Sequence, residues 1–313
     1  MIEAKSSFEY FVYFIFPLVM LGLGLFGNIM GSILLTVRKN LSQLGPVDTY
    51  RYMFLTDCAC LVQTILDKYF LFGYSFGFSS LNDFTCKAYK YIAYLLASPS
   101  HLFLLYILVE RFLAIKFPVE SNRFRTRKCQ LGYFIAITLI NMVYFTPILV
   151  YYNVKTKVFN NNITINSCEL VNDSNKIIHL LFLSKVFIPL VLILFFSLLL
   201  VYTIIKSKSR MSTFYTPREN EIFRKDVGLS FMSILMNFII LCFNLPFIIV
   251  YYNLISVPEY LYVFFYYIFY CIYTFKFYFF LLFNSLFRQE FFKFFLKEKE
   301  STVPTNNEEI EML

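Results

Sequence analysis

Hydrophobic residues fall in seven long runs along the chain, and short polar segments separate these runs. The runs cover residues 11–37, 50–74, 86–115, 131–152, 177–205, 224–252 and 258–283. Each run is long enough to cross about 30 Å of hydrocarbon as an α-helix, because a helix rises about 1.5 Å per residue. The pattern predicts an all-α fold, a bundle of seven transmembrane helices.

The positive charges orient this bundle. Most Lys and Arg residues follow the first, third, fifth and seventh runs. Short basic loops stay in the cytoplasm, so the N-terminus is expected outside the cell and the basic loops on the inner, cytoplasmic side. The loop after the fourth run is then on the outer side, and it holds two candidate glycosylation sites, Asn162 and Asn172.

The residues after the last run form two further segments. For the first, NSLFRQEFFKFFLK, residues 284–297, the family resemblance given below implies an amphipathic helix on the inner membrane surface. Residues 298–313 are polar and predict a disordered cytoplasmic tail. The expected organisation is an extracellular segment 1–10, a membrane domain 11–283, this helix and the tail, in a multi-pass protein of the plasma membrane.

Composition supports a membrane protein and excludes several functions. The chain is 58% hydrophobic and 15% charged, with a mean hydropathy of +0.62. Inner loops that face anionic lipid account for the net charge of +8, so no nucleic-acid partner is expected. The only histidines are His101 and His179, without a metal-ligand spacing or a nucleophile triad, so no enzyme activity, metal or cofactor is expected.

The seven cysteines divide by their predicted side of the membrane. Five lie in predicted helices or at an inner boundary, where free thiols behave as small hydrophobic groups. Cys86 and Cys168 alone lie on the oxidising outer side, which predicts a disulfide between the third helix and the following outer loop.

Six motifs along the chain match one receptor family in order, spacing and sidedness. They centre on Asn28 in LFGNIMGSILL, Asp57 in YMFLTDCACL, Arg111 in LYILVERFLAIKFPV, Pro189 in VFIPLV, Pro246 in CFNLPF and Phe287 in NSLFRQEFFKFF. Together they resemble the rhodopsin-like, class A G-protein-coupled receptors, in particular divergent invertebrate peptide-type or orphan receptors. The distance of 25 residues from Cys86 to Arg111 is also the family spacing.

The resemblance implies a cytoplasmic switch and its partners. A heterotrimeric G protein is expected to dock around Glu110 and Arg111, and Asp226, 20 positions before Pro246, is expected to pair with Arg111 and hold the third and sixth helices together. The alternative is that Asp226 belongs to a solvated helix end. Serines in the inner segments are candidate phosphorylation sites, which would add a receptor kinase and arrestin as partners beside membrane lipid.

The departures from the family pattern are equally specific. The chain has no Trp, and Asn244 takes the place of the sixth-helix Trp before Pro246. The bulky group that transmits the signal is therefore expected to be Phe243 or Phe247. In the seventh helix the family's Asn-Pro-x-x-Tyr reads KFYFF, so Lys276 takes the place of the Asn.

Lys276 has a candidate partner at the same depth. Lys276 and Asp57 each lie about 10 Å from the inner end of their helices. In the family the Asp, with Asn28 and Ser100, resembles a sodium pocket, so we expect the ammonium to replace sodium as a built-in cation. The alternative is that Lys276 extends towards the inner surface. An opsin-type Schiff-base lysine is excluded, because its place is held by Tyr270.

The outer half of the bundle offers candidate ligand contacts. They are charged or phenolic side chains in the outer turns of the helices: Asp67, Tyr94, Lys185, Tyr251, Tyr266 and Tyr270. Lys185 would bind an anion, and Asp67 would bind a cation or neutralise Lys185. Ala93 stands where amine receptors carry Asp, which argues against a biogenic amine. A pocket with both signs of charge and many tyrosines suits a short peptide, so a short neuropeptide is the expected ligand. The alternative for each tyrosine is packing at the membrane interface.

Two other functions compete with a neuropeptide receptor. A chemosensory receptor for a small molecule or a lipid fits the same Phe-rich sequence. A transporter or channel would use Asp57, Arg111 and Lys276 to line an ion path. That function predicts internal repeats or broken helices in matching halves, and the sequence shows neither.

Overall fold

The computed structural model describes residues 6–74, 76–117, 121, 123–159, 163–171, 175–211, 217–252 and 255–296. Side chains are described there except in residues 42–44, 72–73, 156–159, 163–167, 175–179, 182–183, 207–211 and 217–226. The glycosylation candidates Asn162 and Asn172 and the tail 298–313 lie outside the described residues.

Seven long helices and one short helix form the bundle, which confirms the predicted fold class. They are α1 Ser7–Val37, α2 Val47–Tyr74, α3 Asp83–Lys116, α4 Arg127–Tyr151, α5 Asn175–Met211, α6 Pro217–Tyr251, α7 Glu259–Phe283 and α8 Ser285–Phe295. Among the described residues, six of these are long and apolar enough to span a membrane, and α2 is the long helix that falls short. Polar residues such as Asp57 and Asp67 lower its hydropathy, although its 28 residues suffice for a span.

Local signals set the helix ends. A capping box of Ser6 and Glu9 starts α1, and Asn82 caps α3 through Thr85. The Asn284 side chain accepts from the Phe287 amide and separates α7 from α8. These bonds satisfy amides that have no partner inside the helix, so each turn between helices has a fixed position.

Glycines let α1 approach its neighbours closely. A Cβ at Gly31 would lie 2.7 Å from the Phe54 ring of α2, and one at Gly27 would lie 3.1 Å from Phe277 of α7. In a membrane, where helix association depends on packing, small residues at such contacts bring the backbones together. The buried core continues from here through α2, α3, α6 and α7.

The outer loop between α4 and α5 is a β-hairpin, which the sequence reasoning did not predict. Strand β1, Tyr152–Phe159, pairs antiparallel with β2, Ile163–Leu170, with Val154 opposite Cys168. The predicted Cys86–Cys168 disulfide is confirmed and ties β2 to α3. Asp83, in the first turn of α3, accepts from the Val154 amide at 2.8 Å. The hairpin is thus held against the outer end of the bundle.

Candidate functional site

A buried ion pair lies in the middle of the bundle. The Lys276 ammonium of α7 donates to Asp57 Oδ2 of α2 at 2.7 Å and also donates to Ser100 Oγ of α3. Lys276 is 1% exposed and Asp57 is fully buried. The Lys276 side chain therefore does not extend towards the inner surface, as the alternative interpretation required. Its ammonium joins three helices at one point.

Asn28 lies beside this pair and makes a different contact. Its Nδ2 donates to the Tyr273 carbonyl at 2.8 Å, which ties α1 to α7. Tyr273 in turn donates its hydroxyl to the Ala97 carbonyl at 3.0 Å, which ties α7 to α3. Among the described residues, no hydrogen bond joins Asn28 to Lys276. Asn28 thus positions the α7 backbone one turn before the lysine.

The energetics of the pair follow from its surroundings. A Lys or Asp at membrane depth costs about 2.5–3.5 kcal/mol on insertion scales. Pairing at 2.7 Å, with a hydroxyl as second acceptor, offsets much of that cost for the ammonium. A pair that loses one member leaves a buried charge without compensation. The two residues are therefore coupled in stability.

Glu110 and Arg111 form a second buried charged group at the inner end of α3. Arg111 Nε lies 2.7 Å from Glu110 Oε2, and both side chains are fully buried. Arg125, in the loop before α4, donates to Glu110 Oε1 at 2.5 Å. One carboxylate thus faces two guanidinium groups. Sequence reasoning missed Arg125, because nothing in a loop sequence shows which of several arginines turns inward.

The first inner loop covers Arg111. Residues Lys39–Leu44 form a 3₁₀ helix, and Gly45 follows with φ +87°. A Cβ at Gly45 would overlap Arg111 Nη2 at a backbone angle that other residues rarely adopt, so any side chain here would strain the loop and displace the guanidinium. The Asp226 side chain lies outside the described residues, and its pairing with Arg111 stays a prediction. In the described part, the loop and Glu110 enclose the guanidinium.

Helix α8 is anchored to the same loop by one acidic residue. Glu290, buried in an otherwise basic amphipathic helix, accepts from Asn40 Nδ2 at 3.1 Å. Its carboxylate also lies 3.8 Å from Arg38 Nε and 3.7 Å from Lys293 Nζ. The single acid among basic residues was the available sequence signal for this contact. It connects α8 to the loop that covers Arg111.

At the outer end, Lys185 lies among aromatic rings. Its ammonium is 4.6 Å from the Tyr94 ring centroid and 6.0 Å from that of Phe145, and the residue is 8% exposed. Tyr152 of β1 packs in the same buried cluster, beside Tyr94 and Phe145. Burial raises the pKa of the Tyr152 hydroxyl, so this phenol stays protonated at neutral pH. Lys185 and Tyr94 are thus brought together, as expected for one site.

The three other candidate tyrosines gather around Phe247. The Tyr266 and Tyr270 rings are 4.9 Å apart, and the Phe247 ring lies 5.6 Å from both Tyr251 and Tyr266. Phe269 adds a further contact at 5.1 Å. We call Phe247, Tyr251, Tyr266, Phe269 and Tyr270 the outer aromatic cluster. It joins α6 to α7 just beyond Pro246, the proline inside α6.

Asp67 does not neutralise Lys185. Its two carboxylate oxygens accept from the Ser79 amide at 3.2 Å and the Ser79 hydroxyl at 3.3 Å. Asp67 therefore fixes the short 3₁₀ helix Phe78–Ser80 of the first outer loop. Of the two expected roles of Asp67, neutralisation of Lys185 is not among its described contacts, because the carboxylate bonds a loop residue whose position helix depth does not give.

The predicted transmission residues occupy the middle of α6. Asn244 is fully buried, and neither atom of its amide has a hydrogen-bond partner among the described residues. Phe243 lies 6.4 Å from Phe275 of α7. Of the two candidates for the bulky transmitting group, Phe247 contacts more rings than Phe243 does. Towards the inner end, α6 packs against α3 around a cavity of about 10 Å³ between Leu104 and Met236.

The chain is similar to a known protein family. The family model described as a seven-transmembrane receptor of the rhodopsin family matches residues 27–282. The matched region runs from the Gly27–Asn28 step of α1 to the last turns of α7. No curated protein sequence matches the chain.

Proposed function

Because the chain belongs to the rhodopsin family of seven-transmembrane receptors, we propose that it is a plasma-membrane receptor for a short neuropeptide. Family membership makes the protein a multi-pass G-protein-coupled receptor with an extracellular ligand, and members of this family are receptors rather than enzymes. What supports a peptide is the outer end of the bundle, where a hairpin, a buried lysine and five clustered aromatic rings lie together. Aromatic and charged groups in one place are typical of peptide contacts.

The observation that carries the signalling proposal is the burial of Arg111. A fully buried guanidinium at the inner end of α3 has two arrangements: enclosed as observed, or released to a partner when the inner ends of the helices separate. We propose that a heterotrimeric G protein binds the released form. The first inner loop, which closes over Arg111 at Gly45, then has to move during activation.

A second-messenger screen with a short-peptide library tests this function. Cells that express the receptor should respond to a subset of peptides, and Arg111→Ala should abolish the response at equal surface expression. Arg127→Ala is the matched control, since Arg127 is exposed at the start of α4. A response that survives in Arg111→Ala and is lost in Arg127→Ala would contradict the proposed role.

We propose that Lys276 acts as the built-in cation of the bundle. The support is its 2.7 Å contact with Asp57 and its contact with Ser100, which fill the positions that would hold a sodium ion. A fixed ammonium cannot leave with a change in external salt. The receptor would thus have this link between α2, α3 and α7 at every sodium concentration.

The lock between Arg111 and Asp226 remains part of the proposal. An Asp226 carboxylate near the enclosed guanidinium would add a bond between α3 and α6 that opening has to break. Asp226→Asn should then raise ligand-free second-messenger production. Unchanged ligand-free signalling, with Lys225→Gln as the neighbouring control, would show that Asp226 is a solvated helix end.

A chemosensory receptor for a small molecule or lipid is the second candidate. The observation that favours it is Lys185, which offers one buried positive charge among rings, enough for a compact ligand with a single anion. Screening small acids beside the peptides separates the two candidates.

For either ligand class, we propose arrestin and a receptor kinase as later partners of the receptor. We also propose lipid contact through exposed Phe292 and Phe295 of α8.

A further inference from the structure

We infer that the outer end of the bundle is an anion-binding site whose central group is the Lys185 ammonium, and that the ligand carries a carboxylate. The inference rests on the proposed receptor function and adds the chemical class of the ligand. It replaces the expectation of a site with balanced charges, in which Asp67 neutralised Lys185. Three lysines and three tyrosines at the outer ends of four helices and on β1 carry it.

Lys185 is a buried cation without a carboxylate partner. It lies on the bundle face of α5 with Val186 and Pro189, while Phe187 and Ile188 face outward. Among the described residues its ammonium meets the faces of Tyr94 and Phe145 and no hydrogen-bond acceptor. Lys276, which is also buried, has both a carboxylate and a hydroxyl as partners. A buried ammonium left with rings alone is expensive, which points to a partner that arrives from outside.

Two more lysines raise the positive potential at this end. The Lys68 ammonium of α2 lies 5.6 Å from the Tyr266 ring, and that of Lys90 in α3 lies 5.8 Å from the Tyr152 ring. Tyr152, the ring near Lys90, and Tyr94, the ring near Lys185, belong to the same buried cluster, so the two lysines lie at one site. Each of these lysines packs its apolar stem and holds its terminal nitrogen over a ring.

Asp67 offsets only part of this potential. It lies within electrostatic range of Lys68 and Lys90, and its carboxylate accepts from the amide and hydroxyl of Ser79. Three of these four groups, with Lys185, are lysines. A low-dielectric site in which one sign of charge predominates attracts the opposite sign, so an anionic ligand is favoured over a cationic one.

A carboxylate suits the groups that surround Lys185. It accepts from an ammonium and from phenol hydroxyls such as Tyr94 at the same time, and charge-assisted bonds of this type are the stronger ones. The body of the ligand would pack on the rings of Tyr94, Phe145 and the outer aromatic cluster. Two sources provide this chemistry: the free C-terminus of a peptide and the head group of a fatty acid.

The first test needs no ligand. Because removal of an unpartnered buried charge relieves a cost, Lys185→Met should raise the melting temperature of the purified ligand-free receptor by about 2–4 °C. The control Lys87→Met, at the half-buried outer end of α3, should leave it unchanged. A lower melting temperature for Lys185→Met would show that Lys185 has a structural partner and would overturn the inference.

The second test compares acids with their neutral forms. Short peptides with a free C-terminus are paired with the same peptides amidated, and long-chain fatty acids with their methyl esters. The acid forms should raise the melting temperature and activate second-messenger production at concentrations at least tenfold lower than the neutral forms require. This preference should vanish in Lys185→Met and persist in Lys87→Met. Peptide and fatty-acid arms identify the source of the carboxylate.

The outcomes separate this inference from the proposed function. Neutral forms as active as the acids, or acids without any effect, would overturn the anion site. Acids that raise the melting temperature of both wild type and Arg111→Ala, but produce no second messenger in wild type, would uphold the anion site and contradict G-protein signalling. If Arg111→Ala loses signalling but still binds acids in preference to their neutral forms, and wild type signals, the result supports both the anion site and G-protein signalling.

Discussion

At the scale of single residues, Lys276 shows how a membrane protein retains a charge that lipid would reject. Its ammonium, Asp57 and Ser100 come from three helices, so the bundle has to be assembled before the charge is satisfied. A buried pair of this kind does not add much net stability, because desolvation of both groups offsets their attraction. It instead favours the one arrangement of helices in which the two charges meet.

Removal of one charge should therefore be far worse than removal of both. We expect Lys276→Met to lower the free energy of unfolding by about 3–5 kcal/mol, because Asp57 is left buried and unpaired. The double variant Lys276→Met with Asp57→Leu should recover most of that loss. Thermal unfolding in detergent micelles compares the stability of the wild type, the single variant and the double variant.

The comparison with Lys185 serves as the internal control for this prediction. Lys276→Met and Lys185→Met remove the same group at similar burial, but only Lys276 has a carboxylate partner among the described residues. Equal effects of the two variants, or a double variant as unstable as the single one, would show that Lys276 and Asp57 are not coupled.

Gly45 permits a second prediction at this scale. Gly45→Ala places a Cβ against Arg111 Nη2 at a backbone angle that Ala avoids, so the loop or the guanidinium has to move. Ala at a positive φ destabilises by more than about 1 kcal/mol. We expect a lower melting temperature together with raised ligand-free signalling, since Arg111 loses its cover.

Gly132→Ala is the matched control for Gly45. Gly132 lies inside α4 with open space at its Cβ position, and Ala is the better helix former by about 1 kcal/mol. In a thermal unfolding assay, Gly45→Ala should thus lower the melting temperature and Gly132→Ala should raise it. A neutral Gly45→Ala with unchanged signalling would mean that the loop does not hold Arg111.

Depth arguments predicted some of these contacts and not others. The pairing of Lys276 with Asp57 could be inferred because both lie in regular helices, where residue number gives depth. The contacts of Asp67 with Ser79, Glu110 with Arg125 and Glu290 with Asn40 could not, because each involves a loop residue whose position no periodicity fixes.

At the scale of elements, six of the long helices carry a strong hydropathy signal, because a span needs about 20 apolar residues, whereas the polar residues of α2 weaken its signal. Observed ends extend beyond several predicted ones, as in α3, where Asn82 and Asp83 supply polar capping before the first apolar residue. The hairpin escaped prediction. A two-stranded sheet buries little surface, and its strands, YNVKTKVF and ITINSCEL, read as an ordinary polar loop between helices.

The hairpin depends on its disulfide. The Cys86–Cys168 bond closes a separation of 82 residues, and we expect Cys168→Ser to lower stability by about 2–4 kcal/mol. Ligand-induced signalling should fall with it, because β1 carries Tyr152 beside Tyr94. Cys242→Ser, which removes an exposed free thiol, should leave melting temperature and signalling unchanged. Equal behaviour of the two variants would show that the disulfide does not position the site.

At the scale of the whole molecule, contacts connect the two ends of the bundle. The hairpin is tied to α3, α3 meets α7 at Ser100, and the inner end of α3 lies under the loop that anchors α8. Family membership gives the two ends their functions, ligand binding outside and G-protein coupling inside. The tethered cation between them is the feature that most separates this receptor from the sodium-binding pattern.

This difference predicts how the receptor responds to salt. The melting temperature of the purified wild-type protein should be the same in sodium chloride and choline chloride at equal ionic strength. Lys276→Met leaves Asp57 and Ser100 open to a free cation, so this variant should be more stable in sodium chloride. Stabilisation of the wild type by sodium would contradict the proposal of a built-in cation.

The outer aromatic cluster has a practical consequence. It joins α6 to α7 through Phe247, in a chain of 25 tyrosines and no tryptophan. A Phe247→Trp variant would carry one indole and no background from any other. Its emission could be excited selectively and would report the polarity around α6. Because the native protein has no tryptophan fluorescence, movement of this helix could be followed without an attached dye.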